Sequence, residues 1–162
     1  MLKKFCKAAI FVACAAAVAV AQGPSPVAQI KPAGTTRIAE NSRATAQFTV
    51  TIQPGFHIQS DHPKSDFLIP TTLKLTPADG ITVVGVTWPK PQEHKFSFSA
   101  DPLSVFEGSV PVRVRLKESG SHVGAHVLKG TFRYQACNDQ LCRPPVTVPV
   151  SLTVDVVKPH HG

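Results

Sequence analysis

The sequence predicts an all-β fold, namely an immunoglobulin-like antiparallel β-sandwich of seven to eight strands. Three observations support this prediction. Short runs alternate polar and apolar residues with a period of two, as strands with one buried face do. Turn signals rich in Pro, Gly and Asp separate these runs. No run has the periodicity of a convincing amphipathic helix. Short strands in this number, with turns between them, are typical of a β-sandwich.

The first 21 residues have the pattern of a secretory signal peptide. A basic start precedes an apolar run at residues 8–20, and small residues at 19 and 21 give a cleavage pattern. The basic residues are Lys3, Lys4 and Lys7. The apolar run is shorter than the roughly 20 residues of a membrane-spanning helix. We therefore expect an exported protein, periplasmic or otherwise secreted, that is cleaved after Ala21.

A lipoprotein signal is the minor alternative for the same leader, with Cys14 as the lipidated residue. Phe11 is a poor residue three positions before such a cysteine, and the apolar run continues beyond it. Loss of the leader removes three lysines and lowers the formal charge from +7 to +4. It also removes two of the four cysteines and leaves Cys137 and Cys142. An exported pair can form a disulfide.

The mature chain divides by composition into three parts. Residues 22–43 contain much Pro, Gly and Ala and are expected to be a flexible segment leading into the domain. Residues 44–157 carry the strand patterns, and residues 158–162 form a polar tail. The predicted strands are residues 45–52, 56–58, 73–75, 81–88, a run that resumes at 105, and residues 110–117, 127–136 and 146–156.

Three details of these runs lead to specific expectations. Gly85 suggests a bulge within its strand. The run at residues 110–117 contains Pro111 and alternating basic residues, which suggests an edge strand. Residues 61–70 and 89–102 are predicted loops, and the second is long enough to suggest a functional role.

The cysteine pair lies in a distinctive run at residues 134–145, Tyr-Gln-Ala-Cys-Asn-Asp-Gln-Leu-Cys-Arg-Pro-Pro. A staple across so short a loop contributes about 2 kcal/mol, against nearly 5 kcal/mol for a loop of about 100 residues. Pro144 and Pro145 have no N–H group, so Cys142 should lie at a strand boundary where another chain can reach its sulfur. Arg143 favours a thiolate, which Asp139 partly opposes.

Strand parity gives the other cysteine a different environment. If Phe132, Tyr134 and Ala136 face the core, Cys137 lies on the opposite face and is exposed unless something covers it. A metal site is not expected, because the two cysteines are half a site at best and the histidines are scattered. The dispersed basic residues also argue against a nucleic-acid surface. No cofactor beyond the cysteines is predicted.

The run at residues 134–145 closely resembles the cysteine motif of the N-terminal periplasmic domain of the thiol:disulfide interchange protein DsbD. The resemblance extends from about residue 55 to 150. It implies an immunoglobulin-like sandwich with a redox-active pair, in which Cys142 forms the mixed disulfide and Cys137 resolves it. It also implies electron transfer to periplasmic thioredoxin-fold partners.

The same resemblance implies a cap loop with an aromatic residue over the pair. Glu93, His94, Lys95 and Phe96 occupy the matching place, with Phe96 as the expected shield and Phe98 as the alternative. Two tyrosines of the best-known members are missing here, and His57 and Gln59 lie near their positions. The chain ends at residue 162 without the family's membrane and thioredoxin domains, so the electron donor is expected to be a separate membrane protein.

The functional hypothesis is therefore an exported domain for thiol–disulfide exchange, acting through thiolate attack and mixed disulfides. Tyr134, Arg143, Pro144 and Pro145 are expected to support the pair. The alternative is a non-catalytic immunoglobulin-like binding module whose disulfide is permanent and structural.

Overall fold

The computed structural model describes residues 26–120 and 122–159, and they form strands and their connections. Twelve strands lie within these ranges: β1 Ala28–Pro32, β2 Thr36–Ala39, β3 Arg43–Ile52, β4 His57–Gln59, β5 Thr72–Leu75, β6 Ile81–Thr87, β7 Gln92–His94, β8 Leu103–Phe106, β9 Ser109–Glu118, β10 Gly124–Tyr134, β11 Ala136–Cys137 and β12 Val146–Val157. The predicted signal peptide, Cys14 and residues 160–162 of the tail lie outside the described residues. None of the described residues forms a helix of the length and apolarity that a membrane crossing requires.

The strands form three four-stranded sheets. The first has the order β1-β3-β9-β6, the second β2-β12-β10-β5 and the third β11-β4-β8-β7. Neighbouring strands are antiparallel except β2 and β12, which are parallel. Side chains from the first two sheets share one hydrophobic core, and their burial is the main force that holds the sandwich together. Large fully buried members are Ile38, Phe48, Ile81, Leu116, Leu128, Phe132, Tyr134 and Leu152. The predicted all-β sandwich is confirmed.

β3 shows how the alternating pattern produces this core. Every second residue from Ala46 to Ile52 is buried, and the residues between them are exposed. In the pairing with β9, Phe48 lies opposite Val112 and Val50 lies opposite Val110. Because successive side chains point to opposite faces, one face of each strand packs inward.

The predicted edge position of residues 110–117 is wrong, because β9 lies between β3 and β6. Pairing of β6 with β9 reaches only from Glu118 to Arg113. Pro111 therefore lies where β9 has β3 as its one neighbouring strand, and a missing N–H is tolerated there. The basic side chains suggested an edge, but they lie on the exposed outer face of an amphipathic central strand.

The predicted flexible segment at residues 22–43 is also corrected, from Ala28 onwards. β1 pairs with β3 in the first sheet, and β2 pairs with the end of β12 in the second. These ladders satisfy the backbone of a stretch whose Pro, Gly and Ala content suggested a loop. Ala28 is buried, and its N–H donates to the hydroxyl of Tyr134 at 3.3 Å.

The strand count of seven to eight is too low for related reasons. β1 and β2 were not predicted, and β7 is a three-residue strand inside the predicted loop at residues 89–102. The predicted strand at residues 127–136 divides at Gln135, so that β10 belongs to the second sheet and β11 to the third. The bulge at Gly85 is confirmed by a register shift between Val83 and Gly85. The division at Gln135 carries the cysteine motif out of the main sandwich.

Candidate functional site

The two cysteines face each other across a short hairpin and are joined by a disulfide. The N–H of Asn138 donates to the carbonyl of Leu141 at 3.0 Å, and the N–H of Arg143 donates to the carbonyl of Ala136 at 2.7 Å. These bonds lie on either side of the cysteines, which makes Cys137 and Cys142 a non-hydrogen-bonded antiparallel pair. Such pairs have the closest side chains in a ladder, and the Cα atoms here are 3.9 Å apart.

The turn of this hairpin is organised by Asn138. Its side-chain oxygen accepts hydrogen bonds from the N–H groups of Gln140 and Leu141, both at 3.0 Å. An Asn side chain that bonds to the backbone two residues ahead stabilises a turn of this type. The four residues between the cysteines therefore bring the two sulfur atoms together.

The two cysteine residues differ in exposure. Cys137 is 0% exposed, whereas Cys142 is half-buried at the rim of the small cluster that contains Cys137. Cys137 belongs to a second, small hydrophobic cluster with Phe96, Leu103 and Val105. Leu68 and Cys142 pack against this cluster. As strand parity predicts, Cys137 faces away from the main core, and the side chains of the small cluster cover it.

The predicted cap segment lies against the pair. β7 pairs with β8, and Phe96 follows two residues later with 1% of its surface exposed. Its ring stacks on Phe98, with centroids 5.2 Å apart, and Phe98 is 43% exposed. The Ser97 hydroxyl donates to the carbonyl of Asp139 at 2.5 Å and so joins this segment to the cysteine turn.

The other predicted cap residues have separate contacts. Glu93 forms an ion pair with Lys64. The ammonium group of Lys95 donates to the carbonyl of Ser99 at 2.9 Å and also to that of Ala100. His94 Nε2 lies 3.8 Å from a carboxylate oxygen of Asp139. The structure thus places Phe96 beside Cys137 and His94 near the turn between the cysteines, while Glu93 and Lys95 hold the flanks of the segment.

The residues predicted to support the cysteine motif also have separate environments. Tyr134 is buried in the main core. The guanidinium carbon of Arg143 lies 4.5 Å from the centre of the Phe56 ring, a cation–π contact. Pro144 and Pro145 are exposed and follow directly after the hairpin. The effect of Arg143 on a thiolate stays a prediction.

β4 contributes two buried polar residues that the sequence reasoning did not assign to the site. The Nε2 atom of Gln59 donates to the Cys137 sulfur at 3.2 Å and also lies 3.9 Å from the Cys142 sulfur. His57 Nε2 lies 2.9 Å from a carboxylate oxygen of Glu107, and its ring centre is 4.1 Å from that of His94. The only sequence signal was that these residues take the place of two tyrosines in the resembling family.

Burial lowers the pKa of His57 below its ordinary value of 6.5, and the nearby His94 lowers it further, while Glu107 opposes both. Below pH 6.5 the unfolded chain therefore binds a proton at His57 more readily than the folded chain. Stability contributed by neutral His57 is present above that pH and is lost as the pH falls towards the lowered pKa.

Relative to His57→Gln, the wild-type domain should lose free energy of unfolding in urea between about pH 7.5 and about pH 5.5. His126 provides an opposite control. A hydrogen bond with the His122 carbonyl, followed by one with Asp79, raises the pKa of His126, so His126→Gln should make the loss larger. An undiminished loss in His57→Gln would contradict the assignment.

The described residues contain no group of three or more His, Cys, Asp or Glu side chains able to hold a metal ion. That the protein needs neither a metal nor another cofactor stays a prediction. The chemistry that the described geometry offers is that of the sulfur pair itself, with one sulfur at the rim and one enclosed.

Fold and site together define a class, an all-β domain for thiol–disulfide interchange with a covered cross-strand cysteine pair. The family model described as thiol:disulfide interchange protein DsbD, N-terminal, matches residues 27–153. The chain belongs to this family. The DsbD N-terminal domain is in general a periplasmic domain that interacts with thioredoxin-like partners.

The solved structures similar to the chain include the following two. The DsbD N-terminal domain of Neisseria meningitidis in its reduced form is 18% identical with a TM-score of 0.46, and the match covers 71% of this chain and 79% of that one. A family 123 glycoside hydrolase from Clostridium perfringens is 10% identical with a TM-score of 0.33, over 82% of this chain and 28% of that one. No curated protein matches the chain. Family membership rests on the family model.

Proposed function

We propose that this domain passes electrons between thioredoxin-like proteins through reversible formation of the Cys137–Cys142 disulfide. The observation that carries the proposal is the unequal exposure of the two cysteine residues, with Cys142 half-buried and Cys137 fully buried. A partner's thiolate reaches one sulfur and not the other, which gives the exchange a defined first step.

The first half of the cycle reduces the domain. A thiolate of the donor attacks the Cys142 sulfur, a new S–S bond forms between the proteins, and Cys137 leaves with the electron pair as a thiolate. A second donor thiolate then attacks its own protein's sulfur in the mixed disulfide and releases Cys142. The donor ends as a disulfide and the domain as a dithiol.

The second half of the cycle passes the electrons on. The Cys142 thiolate attacks the disulfide of an oxidised acceptor and forms the second mixed disulfide. Cys137 then attacks Cys142, which restores the internal disulfide and releases the acceptor as a dithiol. In this proposal the acceptors are periplasmic thioredoxin-fold proteins, and the donor is a separate membrane protein.

The proposal also includes export of the domain and a cap over the cysteine pair. Cleavage after Ala21 delivers the domain to an oxidising compartment, and lipidation at Cys14 is the lesser alternative for the same leader. The segment from Glu93 to Phe96 acts as a cap, because Phe96 packs in the cluster that encloses Cys137. Such a cap limits side reactions of the dithiol with small oxidants.

A measured reduction potential tests the proposal. Equilibration of the purified domain in glutathione buffers should give a potential within the range of exchanging pairs, roughly −120 to −270 mV. A potential below about −300 mV is typical of structural disulfides. That result would replace the proposal with the alternative, a binding module with a permanent disulfide.

A further inference from the structure

Gln59 holds a fixed position beside both sulfur atoms. Its side chain is 0% exposed. Its backbone N–H donates to the carbonyl of Gln135 at 3.0 Å, and its carbonyl accepts a hydrogen bond from the hydroxyl of Thr71. In the third sheet it is paired with Val105. These contacts leave the side-chain amide directed at the disulfide, with Nε2 at 3.2 Å from the Cys137 sulfur.

This hydrogen bond changes in strength during exchange. The sulfur of a disulfide is a weak acceptor, whereas a thiolate carries a full charge and forms a charge-assisted bond. Phe96, Leu103 and Val105 surround Cys137 with apolar surface, which disfavours a bare thiolate there. A hydrogen bond from an N–H group already in place is therefore most stabilising in the state in which Cys137 carries charge.

We propose that Gln59 is a catalytic residue for exchange at this site, since it donates its amide N–H to the Cys137 sulfur as that sulfur becomes a thiolate. The inference rests on the proposed function. When an external thiolate attacks Cys142, the new S–S bond forms as the Cys137–Cys142 bond breaks, and the electron pair goes to the sulfur that faces Gln59. The same N–H holds the Cys137 thiolate until it attacks again.

The charged and titratable groups near the pair are two histidines, each beside a carboxylate, and Arg143 next to Cys142. His57 faces Glu107, and His94 faces Asp139. The test therefore compares variants that leave these four side chains unchanged.

The first measurement is the titration of the Cys137 thiol, followed by thiolate absorbance in the ultraviolet, in a Cys142→Ser background. Gln59→Met keeps the length of the side chain and removes the donor. Because a hydrogen bond to a charged group is being lost, the titration midpoint should rise by about one pH unit or more. Gln135→Met is the matched control, since the Gln135 amide bonds to the backbone of Ile69 and Arg143 and should leave the midpoint unchanged.

The second measurement is the rate at which dithiothreitol reduces the oxidised domain. Gln59→Met should slow it roughly tenfold to a hundredfold, with urea unfolding used to verify that the variant is folded. An unchanged midpoint together with an unchanged rate would overturn the inference while wild-type exchange continued. Conversely, a wild-type domain inert towards reduced thioredoxin would end the proposed function. A raised midpoint in Gln59→Met would still support Gln59 as the hydrogen-bond donor to the Cys137 thiolate.

Discussion

Cys137→Ala is expected to convert the domain into a trap that holds its partner in a stable mixed disulfide. Cys142 is the sulfur at the rim, and its resolving neighbour is then missing. The probe is a thioredoxin with one remaining active-site cysteine, activated as its mixed disulfide with thionitrobenzoate. The Cys142 thiolate displaces thionitrobenzoate and joins the two proteins. We expect nearly complete conversion, followed by absorbance of the released thionitrobenzoate and by a non-reducing gel.

Cys142→Ala is the matched control and should give almost no mixed disulfide. Its remaining thiol, Cys137, is enclosed by the small cluster around Phe96, where a second protein cannot reach it. The wild-type domain should form the mixed disulfide only briefly, because Cys137 attacks Cys142 and releases reduced thioredoxin. Accumulation in Cys142→Ala instead of Cys137→Ala would reverse the assigned roles.

Phe96→Ala should open the cover over the pair and make the reduced protein react faster with iodoacetamide. Phe96 is 1% exposed and belongs to the cluster that encloses Cys137, so its loss leaves space beside that sulfur. The same change should lower the free energy of unfolding by about 3 kcal/mol or more, which is typical for a buried Phe→Ala substitution. Mass spectrometry of the alkylated peptide and urea unfolding measure the two effects.

Phe98→Ala distinguishes which of the two aromatic residues covers the pair. Phe98 is 43% exposed and stacks on the outer side of Phe96, so we expect a small change in both the alkylation rate and the stability. A faster reaction in Phe98→Ala and an unchanged one in Phe96→Ala would assign the cover to Phe98. Unchanged rates in both variants would exclude this segment as the cap.

The main sandwich could be predicted from sequence because its strands carry their own signal. The alternation of β3 and β9 follows from one buried face on each strand. The position of β9 in the sheet could not be predicted, since Pro111 and the exposed basic residues look the same on an edge strand and on the outer face of a central one. β1 and β2 were missed because they are held by long-range pairing with β3 and β12.

The site was likewise predictable where its residues are close in sequence and not where they are distant. The two cysteines are close in sequence, so the motif at residues 134–145 predicted their disulfide. Gln59 lies 78 positions from Cys137 in sequence, and glutamine is usually exposed, so nothing in its short strand indicated burial. Its contact with the sulfur arises only when β4 pairs with β11 on one side and β8 on the other.

The hairpin that holds the cysteines also determines how long a partner can stay attached. Backbone hydrogen bonds lie on both sides of the pair and involve main-chain atoms, not the sulfur atoms. We therefore expect the two thiols of the reduced domain to remain neighbours and the effective molarity of Cys137 at Cys142 to be high, as in other well-oriented intramolecular reactions. A covalent complex with any partner is therefore short-lived by construction, which suits a carrier that must release one protein before it meets the next.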